Sequence, residues 1–206
     1  IDPVRFIGNH SSGKMGFCIA EELARQGAEV TLVCGPNSLS VQNMSIKRID
    51  VVSAGEMHAA CMKHSKHKHV IVMAAAVADF SPAKKIKAKI KKENGITALE
   101  LVPTKDILSD LGKRKNARPT ERSFGRGSLL VGFALETDNE IQNAKKKLGN
   151  KNLDMVVLNS PSEKTGFTHD TNKITIIDKK NIIKLDLMSK EACAKEIVSK
   201  LISKIK

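Results

Sequence analysis

Short apolar runs rich in β-branched residues alternate with amphipathic stretches along most of this chain, and that alternation constrains the fold more than any other feature. Residues 29–34 (EVTLVC), 46–52, 70–74 (VIVMA), 129–134 (LLVGFA) and 155–159 (MVVLN) have the length and composition of strands. Between them, residues 12–26 read as a helix, with Met15, Ile19, Ala20, Leu23 and Ala24 on one face and Gly27 closing it. Residues 54–64, 105–113, 140–148 and 190–204 read as further helices. Strand and helix in turn predict βαβ units around a parallel sheet. Residues 173–178 and 182–187 predict a C-terminal hairpin about Lys179, Lys180 and Asn181. The 206 residues are 41% hydrophobic and show no repeat and no clean linker, which fits a single α/β domain over residues 1–206.

The middle of the chain changes character. Residues 81–94 carry lysines around Ile86 and Ile90, and the alternation in KIKAKIKK suits a half-exposed strand acting as a basic flap. Residues 116–128 (NARPTERSFGRGS) read as a basic loop, and 160–172 as a long polar one.

Thirty-five Lys and Arg against 22 Asp and Glu give a formal charge of +13. Such a balance suits nucleic acid, small anionic substrates, or no more than a solvated lysine-rich surface. The lysines spread over the whole chain, and Trp and Tyr are absent, so the stacking platforms of single-strand binders are scarce and no specific nucleic-acid partner is expected. Cys18, Cys34, Cys61 and Cys193 are scattered without metal or redox spacing, as expected of reduced thiols in a cytoplasmic protein. No apolar run approaches the roughly 18 residues of a membrane span, and no signal peptide is visible. The start at Ile1, with Asp2 and Pro3 following at once, suggests a piece of something longer.

Three segments carry chemistry. The first is GNHSSGKMG, residues 8–16. A helix begins inside it, with Ser11 or Ser12 as N-cap. Its free N–H groups at Ser11, Ser12 and Gly13 favour an anion such as phosphate, or simply mark a capped helix. Gly8, Gly13 and Lys14 imitate a P-loop, but Met15 stands where the Mg²⁺-holding hydroxyl belongs. The second is AAAVADFSP, residues 74–82, just past the end of a strand, where open α/β sheets bind ligands; it also reads as a tight packing turn. The third is the lysine run 84–92, a solvated face or a source of cations for a phosphate.

DPVRFIGNHSSGKMG, AAAVADFSP, KIKK, GFALET, NLDMVVLN and a F-x-x-D-x-N stretch at Phe167, Asp170 and Asn172 occur here in one order and spacing. In this the chain resembles phosphopantothenate–cysteine ligases over essentially its whole length. The resemblance implies a Rossmann-like three-layer parallel sheet and a two-step reaction in coenzyme A biosynthesis. The carboxylate of 4′-phosphopantothenate attacks the α-phosphate of CTP, and the amine of L-cysteine then attacks the acyl-cytidylate. It implies Asn9 as the holder of the acyl intermediate and Lys89 as the catalytic, phosphate-facing cation. Nucleotide contacts are implied at Met73, Ala74, Ala75, Asp79, Lys89, Lys105, Asp106, Ile107, Leu108, Phe133, Lys147 and Lys151. Mg²⁺ is expected with no ligands assigned, and FMN only if a decarboxylase domain is attached upstream, as in bacterial members. A homodimer is implied, with the lysine segment at its interface. The chain departs from the family at Thr104-Lys105, where Asn-Pro is usual, and in lacking the strand and Gly-Gly-Thr turn that precede DPVRF. Rival readings are an NAD(P)-dependent oxidoreductase, which lacks its G-x-G-x-x-G turn here, and a non-catalytic nucleotide- or nucleic-acid-binding module. CTP in place of ATP rests on the resemblance alone.

Overall fold

A computed structural model describes residues 1–94, 98–116, 128–160 and 169–205. Helix α1 (Lys14–Arg25) leads into a parallel pair, β1 (Thr31–Cys34) and β2 (Lys47–Asp50). Helix α2 (Ala54–His64) follows, started by Ser53, whose hydroxyl accepts from the Glu56 N–H. Then come β3 (Val70–Met73), β4 (Phe80–Pro82), β5 (Leu101–Pro103) and α3 (Ile107–Asn116). The second half holds β6 (Leu129–Leu135), α4 (Glu140–Asn150), β7 (Met155–Asn159), β8 (Thr171–Asn172), β9 (Ile174–Asp178), β10 (Ile182–Lys184), β11 (Met188–Ser189) and α5 (Lys190–Ile205).

The main sheet runs β10-β9-β7-β6-β3. Its β3, β6 and β7 are parallel, as the βαβ pattern demands, while β9 and β10 run antiparallel to them as the expected hairpin. The expected hairpin thus joins the parallel strands in one sheet, which is mixed and not the parallel sheet expected. Alternation along β6, β7 and β9 sends Val131, Met155, Val157, Ile174 and Ile176 to one face, against Ile19 of α1 and Ile197 and Leu201 of α5. Leu130, Ala134, Val156, Leu158 and Ile177 go to the other, against Met57, Ile107, Leu111, Ala144 and Leu148. Helices thus cover both faces, and the carboxyl ends of β3, β6 and β7 open on one rim. Among the described residues β1 and β3 each keep one edge without a strand partner, although Val33 and Ile71 pack on the same cluster as Met57.

Three further expectations change. Residues 84–91 form no strand. Their backbone groups are taken by the start of the chain: Ile86 N–H donates to the Ile1 carbonyl and Ile90 N–H to the Asp2 carboxylate, so no ladder forms. The ribbon in this region is instead β4–β5, pairing Phe80 with Pro103 and Pro82 with Leu101. Helix α1 is capped by Gly13 at φ 73, with no side-chain cap bond from Ser11 or Ser12. A left-handed N-cap suits glycine and displaces the serine. The basic loop lies outside the described residues but for its ends, as does Phe167. No helix among the described residues is long and apolar enough to cross a membrane.

At Gly112 a side chain has no room: a Cβ there would stand 2.1 Å from the Lys151 carbonyl oxygen, a backbone atom that cannot swing aside. Gly112→Ala is expected to lower stability by about 1–3 kcal/mol or more, seen as an earlier urea midpoint. An unchanged midpoint would show that α3 does not press on the turn after α4.

Candidate active site

The rim at the carboxyl ends of β3 and β6 gathers groups from four parts of the chain. Lys147, on α4, sends its ammonium back to the Phe133 carbonyl at 2.7 Å. Burial pushes its pKa down, while Glu136, Asp106 and Asp79, all within electrostatic reach, pull it back up. Lys151, one turn further along, is ion-paired with Asp106. Asp106 stands just before α3 and accepts from Ser109 N–H at 2.7 Å, so it caps that helix too. Burial opposes ionisation of Asp106, but Lys151 and the Ser109 N–H outweigh it and hold the carboxyl below the usual range. The result is two ammonium groups interleaved with three carboxylates, one ammonium partly desolvated and therefore strongly felt by any anion that approaches it.

The loop after β3 forms the next wall. Met73 and Ala74 are half-buried, while Ala75 and Asp79 are exposed. Gly16 of α1 faces Ala74, where a Cβ on the glycine would lie 3.9 Å from the alanine's. Asn9 Nδ2 donates to the Val77 carbonyl at 3.1 Å, which ties the GNHSSGKMG segment to the AAAVADFSP loop. Thr104 braces this loop from the other side: its hydroxyl donates to the Ala78 carbonyl at 2.7 Å and its N–H to the Asp79 carbonyl at 2.8 Å. This is what Thr104 supplies where Asn was expected.

Of the residues singled out in the sequence, Asn9, Met73, Ala74, Ala75, Asp79, Asp106, Phe133, Lys147 and Lys151 thus line one rim. Ile107 is buried in the core and Leu108 packs over Gly132, so toward a ligand they offer backbone only. Lys105 and Lys89 are exposed, Lys89 on the lysine segment that hangs from the N-terminal turn. Ser11 accepts from Gly13 N–H at 3.3 Å and Ser12 from Lys14 N–H at 3.5 Å, local bonds that leave both hydroxyls at the surface. Lys14 pairs with Asp170 at 2.7 Å, which raises its pKa and removes the last likeness to a P-loop. Sequence reading missed Glu136 and the Lys14–Asp170 pair. GFALET and F-x-x-D-x-N marked those places, but nothing in either string names a partner.

The model of one family, the DNA/pantothenate metabolism flavoprotein C-terminal domain, matches residues 1–205. The chain belongs to this family. It is 48% identical, over 98% of its length and 55% of the relative's, to a cysteine/cysteine sulfinic acid decarboxylase from an unknown prokaryote. It is 41% identical to the coenzyme A biosynthesis bifunctional protein CoaBC of Haemophilus influenzae, over 99% of its length and 48% of that protein's. The crystal structure of the C-terminal domain of a CoaBC protein superimposes with a TM-score of 0.79 at 36% identity, covering 100% of this chain and 89% of that one. The chain spans about half the length of the curated relatives it matches. The α/β architecture with a mixed sheet is that of the flavoprotein C-terminal domains.

Proposed function

We propose that this domain is a phosphopantothenate–cysteine ligase of coenzyme A biosynthesis, using CTP. The observation that carries the reading is the Asn9–Val77 tie, which brings an amide donor to the same rim as the Lys147–Lys151–Asp106 cluster. One side of the rim suits a polyphosphate and the other an acyl oxygen.

In the first step a carboxylate oxygen of 4′-phosphopantothenate bonds to the α-phosphorus of CTP, and the bond to pyrophosphate breaks. Negative charge shifts to the leaving oxygens, where Lys147 and Lys151 face it and Lys89 closes over it from the lysine segment. In the second step the amine of L-cysteine bonds to the acyl carbon and loses a proton, and CMP departs. Asn9 swings its Nδ2–H from the Val77 carbonyl to the acyl oxygen and steadies it. The side chains of Asp79 and the loop backbone at Met73, Ala74 and Ala75 are placed for the nucleoside. Lys105 is available to the same ligand from the exposed strand–helix junction. Among the described residues no three His, Cys, Asp or Glu side chains converge to hold a metal; Mg²⁺ would arrive with the triphosphate. The amino-acid groups above are what the chain itself supplies.

The half-length match to bifunctional relatives supports a decarboxylase domain, with FMN, fused or associated upstream. The exposed Phe6 (85%), Phe80 (52%), Leu101 and Val102 support a homodimer that buries the N-terminal segment and the β4–β5 ribbon. A cytoplasmic location and the absence of a specific nucleic-acid partner complete the reading.

Pyrophosphate release tests the nucleotide. CTP should support it far better than ATP in the presence of phosphopantothenate, and equal rates would overturn the CTP assignment while leaving the ligase. Quenched reactions separate the two roles. Lys89→Gln should form no acyl-cytidylate, whereas Asn9→Asp should accumulate it, because the new carboxylate repels the acyl oxygen. Accumulation in both, or a non-catalytic protein that binds nucleotide without turnover, would refute these roles.

The free edges of β1 and β3 also support a missing parallel strand between them, supplied with its Gly-Gly-Thr turn by residues preceding Ile1. The order would then become Rossmann-like, and Val70, Ile71 and Val72, now half-buried, would be enclosed. Full burial of a large apolar side chain contributes roughly 1.5–3 kcal/mol, so enclosing a half-buried one adds about half of that. A form extended by that strand should melt higher and turn over CTP faster than residues 1–206. Equal melting and turnover would remove the strand from this fold.

A further inference from the structure

The start of the chain builds a grip on the lysine segment. Asp2 and Arg5 lie on one turn, closed by Asp2 N–H donating to the Arg5 carbonyl at 3.2 Å. One carboxylate oxygen of Asp2 accepts from the N–H groups of Val4 at 2.9 Å and Arg5 at 2.8 Å. The other accepts from Arg5 Nε at 3.0 Å, from Arg5 Nη2, and from the N–H of Ile90 at 3.2 Å. Arg5 Nη2 in turn donates to the Ile90 carbonyl at 3.0 Å. The ion pair therefore holds both backbone groups of Ile90, as a neighbouring strand would. Although Asp2 stands near the end of the chain, its side chain is 0% exposed. From residue 83 to 93, Ile90 alone is not exposed. A second tie, Ile86 N–H to the Ile1 carbonyl at 3.0 Å, secures the other end of the same stretch.

Nothing about solubility or the core explains a carboxylate enclosed by five donors at this place. Beyond its own turn, what the grip holds among the described residues is the stretch that carries Lys89. A lysine on an untethered loop samples many positions, and misplacement by about 1 Å costs up to a hundred-fold in rate. A tether at the next residue removes most of that freedom while leaving the ammonium itself in water.

We propose that Asp2 is a positioning residue, which acts through Arg5 and the backbone of Ile90 to set the reach of Lys89 over the bound triphosphate. The proposal rests on the ligase reading of Lys89. Arg5, hydrogen-bonded to the Asp2 carboxyl, holds it well below the usual carboxylate range despite the cost of desolvation. The grip is therefore fully present above the ordinary pKa of an aspartate and is lost only in strong acid. Arg5 gives the grip its second hand, and replacing Asp2 would strand the guanidinium as well as free the Ile90 N–H.

Amide hydrogen exchange and single-turnover kinetics on the full chain test this together. In Asp2→Asn the Ile90 amide should exchange about ten- to a hundred-fold faster, with Val131 and Val157 of the core strands unchanged. Acyl-cytidylate formation should slow roughly ten-fold with little change in nucleotide KM. Lys89→Gln alone should leave the Ile90 amide exchanging at the original rate, since the grip acts on the backbone and Lys89 only receives its effect. Arg5→Ala, which removes the carbonyl contact, gives a second variant expected to behave likewise; faster exchange in the core strands of Asp2→Asn would overturn a local role. So would unchanged Ile90 exchange or unchanged kinetics in Asp2→Asn. Full activity in Lys89→Gln overturns the assignment of Lys89 itself, a separate failure because exchange at Ile90 is read without turnover.

Discussion

Strand β7 is the constraint on which the rest hangs. Met155, Val156, Val157 and Leu158 are each 0% exposed, hydrogen-bonded to β6 on one side and to β9 on the other. A strand shut off from water on both faces and both edges fixes its register, because a slip of one residue would exchange the two cores. Parallel pairing with β6 then fixes direction as well. The chain must leave β6 at the rim, return along α4 and re-enter beside β6 from the opposite end of the sheet. That return path puts Lys147 under the Phe133 carbonyl and Lys151 beside Asp106. Gly132 belongs to the same arrangement, since a Cβ there would lie 2.8 Å from Leu153 and 3.0 Å from Leu108.

Much of this frame is legible in the residues. The apolar runs at 70–74, 129–134 and 155–159 carry enough β-branched character to be strands in any context, and 54–64 proves a helix with the bounds its serine cap and period imply. What misleads is alternation without a partner. KIKAKIKK has the period of a strand, but a strand needs a neighbour, and the neighbours of Ile86 and Ile90 are Ile1 and Asp2, more than 80 residues away. The real ribbon, β4–β5, hides behind Pro82 and Pro103, which read as breakers although prolines are tolerated at strand ends and edges. Gly13 likewise hides behind two serines that make better helix caps on paper.

The site is legible by residue type and not by assembly. Asn9, Asp79, Lys147 and Lys151 stand in recognisable strings, yet no string says that Asn9 reaches Val77 or that Asp106 serves both a helix end and Lys151. Thr104 shows the limit well. It departs from the usual Asn-Pro, and its hydroxyl and N–H secure the backbone of the loop after β3, a contact across 26 residues that follows from the ribbon and not from the local sequence.

The charge of the whole chain and the charge of the rim follow different rules. A formal +13 is spread over solvated lysines and steers anions from a distance. At the rim the lysines are matched by Asp79, Asp106 and Glu136. The matching has a reason in Lys147. Burial alone would favour its neutral form, and a neutral amine holds a phosphate poorly. The neighbouring carboxylates oppose that effect and favour the charged form. Because Asp106 is half-exposed at its side chain and Lys151 about a third, their ion pair is worth about 0–1 kcal/mol. Exchanging that carboxylate for a phosphate oxygen therefore costs little, while the capping bond from Ser109 keeps Asp106 where it is. The acidic groups thus hold the lysine side chains in place without competing strongly for them, which a bare cluster of lysines on the same rim could not achieve.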